Sequence, residues 1–282
     1  MGNWFKTMVL FVALAAVLMF VGGAVAGRSG VAIALVISLG INLFSYWFSD
    51  KVVLMSYRAK ELTEAEAPRV HAVVAELSQA AGIPKPRVYR IPDGSPNAFA
   101  TGRSPDHAVV AVTDGILQLL DEEELKGVLG HELSHVKHRD ILIGTVAASL
   151  AAAVMFIANM AKWAAIFGGY GGGRNREGGN PLGLLLAAIV APIAALLIQM
   201  AISRSREYAA DEGGAHLAGN PYGLASALKK LEAMSVRIPL QASPATAHMF
   251  IVKPFTGGGI FQLFSTHPPL EKRIARLMAG RG

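Results

Sequence analysis

No cysteine occurs among the 282 residues. That excludes a disulfide framework, a thiolate zinc site and a cysteine nucleophile, and leaves nitrogen and oxygen to bind any metal. Charge is scarce as well: 16% of the chain is Asp, Glu, Lys or Arg, against roughly 25% in an ordinary soluble domain. Acidic residues are the scarcer kind, 20 against 26 basic ones, for a net charge of +6. The basic residues form no aromatic-interleaved patch, so a nucleic-acid partner is set aside. With 52% hydrophobic residues, the lack of charge points to a membrane protein or an unusually apolar core, and run length must decide.

Phe5 to Ala26 is apolar except for Lys6, and Val31 to Phe48 carries no charge. About 20 apolar residues suffice to cross a bilayer core of roughly 30 Å. The intervening GRSG (27–30) suits a tight turn, so residues 1–50 read as a transmembrane hairpin ending in the interfacial aromatics of SYWF (45–48). AVAG (24–27) has the small residues of a cleavage site, but the length of the run and the second apolar segment favour an anchor over a signal peptide. Ile141 to Ala161 and Leu182 to Ile202 are weaker candidates, joined by the glycine-rich GGYGGGRNREGGN (168–180). Residues 141–202 are therefore two further spans or a membrane-associated pair. Lys51, Arg58, Lys60, Arg204 and Arg206 outweigh Arg28, Arg174 and Arg176 on the other side. This bias puts residues 51–140 and both termini in the cytoplasm.

Residues 51–140 read as a mixed α/β unit. TEAEAPRVHAVVAELSQAAG (63–82) predicts an amphipathic helix capped by Thr63 and Glu66 and closed by a glycine. PRVYRIP (86–92) and HAVVAVT (107–113) predict strands, with NAFATG (97–102) as an edge strand between them. DEEELKGVLGHELSHVKHRD (121–140) predicts a helix with a favourably acidic start, running on towards the third apolar segment. Residues 203–282 are mainly helical; Asn220 and Pro221 open one helix and HPPLEKRIARL (267–277) another.

His131 and His135, at i and i+4, share one helix face, and Glu132 projects about 100° from His131, within reach of a water held between the imidazoles. A catalytic zinc takes three protein ligands and leaves a position for water, activating it while a carboxylate accepts its proton. The alternative is an exposed helix end with unpaired histidines. His138 falls on another face and joins Lys137 and Arg139 in a solvated basic patch. In SRSREYAADEGGAH (203–216), Glu207 and Asp211 share a face. Glu207 can ligate and Asp211 can accept a ring N–H from a ligating histidine, or both belong to an ordinary charged face with Arg204 and Arg206. His216 reads as structural.

HELSH, SRSREYAAD and STHPPLEKRIARL (265–277), in this order around two hydrophobic segments, resemble the HtpX family of membrane zinc metallopeptidases, whose wider group includes the CAAX prenyl proteases. The resemblance covers nearly the whole chain. It implies a mainly α integral membrane protein with a small α+β zincin-like (gluzincin) catalytic domain, split into residues 51–140 and 203–282. It also implies one Zn2+ on His131, His135 and Glu207, with Glu132 as catalytic base and Asp211 behind the ligands. His267 would stabilise the oxyanion with Arg273 in support, and Asn97, Ala98 and Phe99 would bind an extended substrate on a strand edge. The implied activity is endopeptidase cleavage of damaged or misfolded membrane proteins at a bacterial cytoplasmic membrane. Its partners would be unfolded polypeptides, the lipid bilayer and other quality-control proteases. A catalytically silent scaffold or chaperone is the alternative, against which the retained Glu132 speaks. A transporter is the less favoured one, since the first two spans lack buried charge.

Overall fold

A computed structural model describes residues 3–147, 150, 204–235, 251 and 268–279. The apolar N-terminal region is helical from Asn3 to Ser56 (α1), but Gly27, at φ 59°, turns it back on itself. A Cβ on Gly22 would lie 2.4 Å from the Gly30 carbonyl oxygen, and Asn42 Nδ2 donates to the Phe11 carbonyl at 3.3 Å. Two antiparallel arms are therefore in near-backbone contact. Unlike a soluble hairpin, this one exposes large apolar side chains, Val12 at 68% and Val36 at 71%, while Thr7, Ser38 and Ser45 are buried along with Leu10 and Leu14. The Gly27–Phe48 arm, 22 residues of mean hydropathy 1.9, is long and apolar enough to cross a membrane. Most of the two later candidate segments lies outside the described residues.

Arg58, in a left-handed conformation at φ 52°, leads α1 into a four-stranded sheet of order β1-β2-β4-β3. β1 (Lys60–Glu61) pairs antiparallel with β2 (Arg87–Ile91), β2 pairs parallel with β4 (Val109–Thr113), and β3 (Ala98–Thr101) closes the far edge antiparallel to β4. The strand expected over 107–113 begins only at Val109 because residues 105–107 form a 3-10 turn before it. On one face Val88, Val110 and Val112 pack with helices; on the other, Val109, Ala111 and Phe99 pack with Val53 and Leu54 at the end of α1.

The helix expected from Thr63 begins instead at Pro68 and runs to Ala81 (α2). Thr63 and Glu66 do bond reciprocally, with Thr63 N–H donating to Glu66 Oε2 at 2.8 Å and Glu66 N–H to Thr63 Oγ1 at 3.4 Å. They close a single turn only, because Pro68 drives the residue before it out of the α region, and Ala67 sits at φ −143°. After the short α3 (Asp114–Leu119) comes α4 (Glu122–Lys137), whose Asp121 and Glu124 form a complete capping box. α5 (Arg204–Ala218), α6 (Tyr222–Ser235) and α7 (Leu270–Ala279) complete the described helices. α4 does not run straight on: Arg139 adopts φ 58°, and a new helical stretch starts at residue 140.

α4 is the hub, buried between the sheet on one side and α5 and α6 on the other. Glycines set its distance from α5 and α6. A Cβ on Gly214 would lie 2.5 Å from His131 N, one on Gly130 would lie 2.8 Å from the Gly214 carbonyl oxygen, and one on Gly127 would lie 2.4 Å from Leu224 N. The histidine helix and α5 thus meet backbone to backbone at Gly130, His131 and Gly214, one turn beyond Asp211.

Candidate metal centre

α4 presents His131 and His135 one turn apart, with ring centroids 4.8 Å apart and planes at 87°. α5 crosses so that Glu207 faces both: its Oε2 lies 3.9 Å from His131 Nε2 and its Oε1 3.6 Å from His135 Nε2. One ligand atom from each residue falls within 4.8 Å of the others. Two imidazole nitrogens and a carboxylate oxygen, without sulfur, suit a borderline divalent ion with a position left open. The donors fit the group that the sequence implies.

Each imidazole is held from behind. His131 Nδ1 lies 2.9 Å from Asp211 Oδ1. Asp211 is gripped in turn by Arg273, whose Nη2 and Nε donate to its two oxygens at 2.6 and 2.8 Å. Burial alone pushes the Asp211 carboxyl up, but the Arg273 and His131 hydrogen bonds outweigh it and hold it below the ordinary carboxylate value. Burial also keeps His131 below the ordinary imidazole value despite Asp211. His135 Nδ1 lies 3.2 Å from Asp140 Oδ2. Burial disfavours its charge, yet the Asp140 bond and the fields of Glu207 and Glu132 raise its pKa overall.

Glu132 points to the sheet edge. Its Oε2 accepts the Ala100 amide at 2.8 Å, and burial pushes its carboxyl up to about 7. That bond fixes the orientation of β3. Thr113 N–H donates to the Asn97 carbonyl, so Asn97, Phe99 and Thr101 turn their peptide groups towards β4, while Ala98 and Ala100 turn theirs outward. Of the three expected substrate contacts, Ala98 turns its peptide groups away from β4 on the last strand of the described sheet, although the residue itself is buried. Phe99 is buried on the far face against Tyr57, at a ring distance of 5.9 Å. Asn97 Oδ1 accepts from Ile251 N–H at 3.4 Å, and its buried Nδ2 has no partner among the described residues. Arg273, expected beside His267, is committed to Asp211 and donates from Nη1 to the Ile251 carbonyl at 2.9 Å. His267 lies outside the described residues. His138 Nδ1 donates to the Ser134 carbonyl at 2.8 Å, a partner on its own helix and not one of the three donors.

Sequence reasoning missed Asp140, the Ala100 amide and the Gly130–Gly214 crossing. Asp140 ends the same HELSHVKHRD stretch, but at i+5 from His135 it shares no face with it on a continuous helix. The glycines had a signal, the pair in DEGG (211–214) beside ligand candidates, where bare backbone permits close approach.

Residues 64–280 match Peptidase family M48. The chain belongs to peptidase family M48. Among its relatives, the Protease HtpX homolog of Desulfatibacillum aliphaticivorans is 59% identical over 281 residues, which cover 100% of this chain and 91% of that one. The Protease HtpX homolog of Pyrococcus furiosus is 55% identical over 277 residues, 98% of this chain and 95% of that one. The crystal structure of S. mikatae Ste24p superposes with a TM-score of 0.51 at 16% identity, covering 98% of this chain and 66% of that one. At this identity the likeness is one of fold, and it spans just under two thirds of Ste24p. As an M48 member with HtpX relatives, the chain is a metalloprotease, a hydrolase of peptide bonds.

The close crossing of helices in this M48 site makes a direct prediction. In Gly214→Ala the new Cβ would meet His131 N at 2.5 Å and Cα at 2.7 Å, both backbone atoms of α4. Overpacking of this kind costs typically 1–3 kcal/mol, and α5 can relieve it only by carrying Glu207 away from the imidazoles. The variant should melt below the parent and retain less metal after dialysis; equal metal content by elemental analysis would contradict the role given to the crossing.

Proposed function

We propose that this M48 protein is a membrane-embedded, zinc-dependent endopeptidase that cleaves damaged or misfolded membrane proteins in protein quality control under stress. His131, His135 and Glu207 would hold one Zn2+, with Glu132 as general base. The convergence of those three donors beside a buried glutamate anchored to a sheet edge carries the reading. Bound there, zinc supplies Lewis acidity towards the scissile carbonyl, lowers the pKa of a water, and by its charge favours the ionised form of Glu132.

The chain's own groups do the rest. Glu132 Oε2 is tied to the Ala100 amide at 2.8 Å, which leaves Oε1 to take a proton from the attacking water and deliver it to the leaving amine. The outward peptide groups of Ala98 and the Ala100 carbonyl accept an extended substrate strand by β-augmentation, and the Asn97 amide is an available donor at its start. Asp211 and Arg273 orient His131. His267 is assigned the stabilisation of the oxyanion.

The apolar outer surface of the α1 hairpin, with Val12, Phe20, Val36 and Leu43 exposed, supports an N-terminal anchor at residues 1–50 in a bacterial cytoplasmic membrane. Residues 51–140 and 203–282 would form one catalytic unit facing the cytoplasm, and 141–202 would make a second pass. The partners are membrane-protein or unfolded polypeptide substrates and the bilayer itself.

Chelation tests the reading. Cleavage of an unfolded substrate by detergent-purified protein should stop on metal removal and return with stoichiometric zinc. Zinc must displace any proton carried by His135, whose pKa is raised, so apparent affinity should fall about tenfold per pH unit below that pKa. The linkage runs the other way for the metal-free fold. The stabilising charge on His135 is fully present below its unfolded value of about 6.5 and is lost as pH rises through the higher folded value. Metal-free protein should therefore melt lower as pH rises through this window, while zinc protection grows. Full cleavage in excess chelator would refute the metal mechanism.

A further inference from the structure

Resting on the metal reading above and deepening it, we propose that Asp140 is a positioning residue that fixes His135 for metal binding, as Asp211 fixes His131. The backbone is shaped to allow it. On an unbroken helix, five residues at 100° each would turn Asp140 about 140° away from His135. Arg139, at φ 58°, instead ends α4 and turns the chain so that Asp140 opens the next helical stretch with its carboxylate 3.2 Å from His135 Nδ1. A left-handed conformation costs a non-glycine residue energy and persists where surrounding contacts over-determine it.

The two imidazoles are served alike. In each, a mostly buried carboxylate stands at Nδ1 and an arginine stands behind the carboxylate: Arg273 on Asp211 at 2.6 Å, and Arg206 Nη1 3.6 Å from Asp140 Oδ1. A carboxylate accepting the Nδ1 proton fixes the tautomer that leaves the Nε2 lone pair for a metal. Both Nε2 atoms face Glu207, at 3.9 and 3.6 Å. Arg206 immediately precedes Glu207, so the Asp140–Arg206 pair also ties the end of α4 to the turn of α5 that presents the third donor. Lys6, at the start of α1, lies within electrostatic reach of both Asp140 and Arg206, which brings the N-terminal helix to the same corner.

The test uses the full-length protein in detergent, as parent, Asp140→Asn and Asp140→Ala. Zinc affinity, read by competition with a chromogenic chelator, should fall about 10–100-fold in Asp140→Asn and at least as far in Asp140→Ala. The ligand-field spectrum of cobalt(II)-loaded protein should change with it, because a purely structural loss would leave the imidazole's ligation as it was. Where a variant also melts lower without metal, that spectrum decides: an altered spectrum supports the assignment and an unchanged one overturns it. Affinity and spectrum equal to the parent's overturn it outright. A parent that takes up no metal sinks both this assignment and the proposed function, whereas a parent that binds beside an Asp140→Asn that binds equally well sinks only the role of Asp140.

Discussion

Glu132→Gln is expected to lower peptide-bond cleavage by about 10²–10⁴-fold, the usual contribution of a general base, while metal content stays at the parental level. Glutamine keeps the volume of the side chain, and its carbonyl oxygen can still accept the Ala100 amide that Glu132 Oε2 takes at 2.8 Å. The edge strand is therefore undisturbed, and neither imidazole nor Glu207 loses a contact. What disappears is the ability to receive a proton from water. The loss should fall on kcat, with KM nearly unchanged, because in the proposed binding mode the substrate's backbone contacts would lie on β3. Side-by-side digestion of an unfolded substrate, with metal content measured on the same samples, checks this. A Glu132→Gln enzyme as fast as its parent would remove Glu132 from the chemistry.

Arg273→Met should have the largest effect on stability. Arg273 is only 1% exposed, and its two hydrogen bonds to Asp211, at 2.6 and 2.8 Å, leave methionine no means of compensation. Removing one partner of a buried pair leaves the other charge stranded, at a cost of about 3–5 kcal/mol. Arg273→Lys should recover little, since an ammonium cannot make the forked contact. Arg273→Met with Asp211→Asn should be better tolerated than the single change because the stranded charge is gone, and a double-mutant cycle of thermal or denaturant midpoints measures that coupling. The depressed pKa of Asp211 adds a pH signature. It contributes stability above the unfolded value of about 3.9, lost as pH falls through the lower folded value, and the contribution should vanish with Arg273. A single variant as stable as the parent would refute this account.

How much of this could be read from the chain follows the reach of each physical signal. His131, His135, Glu207 and Asp211 are legible because helical periodicity puts i and i+4 on one face, and two such pairs came together. The strands at 87–91 and 109–113 were legible from β-branched runs bounded by turn formers, and the one at 98–101 only from its place between them. The start of α2 was misread because a capping-box pattern competes with a proline two residues later, and the proline's steric demand wins. The break after α4 had no local signal, since neither His138 nor Arg139 is a helix breaker and the left-handed turn is held by contacts such as Asp140 with Arg206. The partner of Arg273 lay out of sight because Asp211 is 62 residues away along the chain. Which residues of NAFATG face outward depends on register with β4, which alternation in an almost wholly apolar strand does not encode.

The edge strand carries a consequence for selectivity. If β3 takes the substrate as proposed, what it offers is peptide N–H and C=O with small alanine side chains beside them, so affinity would come from main chain rather than from deep pockets. A polypeptide whose amides are already paired, in a helix or a sheet of its own, has nothing to give such an edge. Discrimination would then follow conformational state instead of sequence: loss of native hydrogen bonding itself becomes the label for destruction.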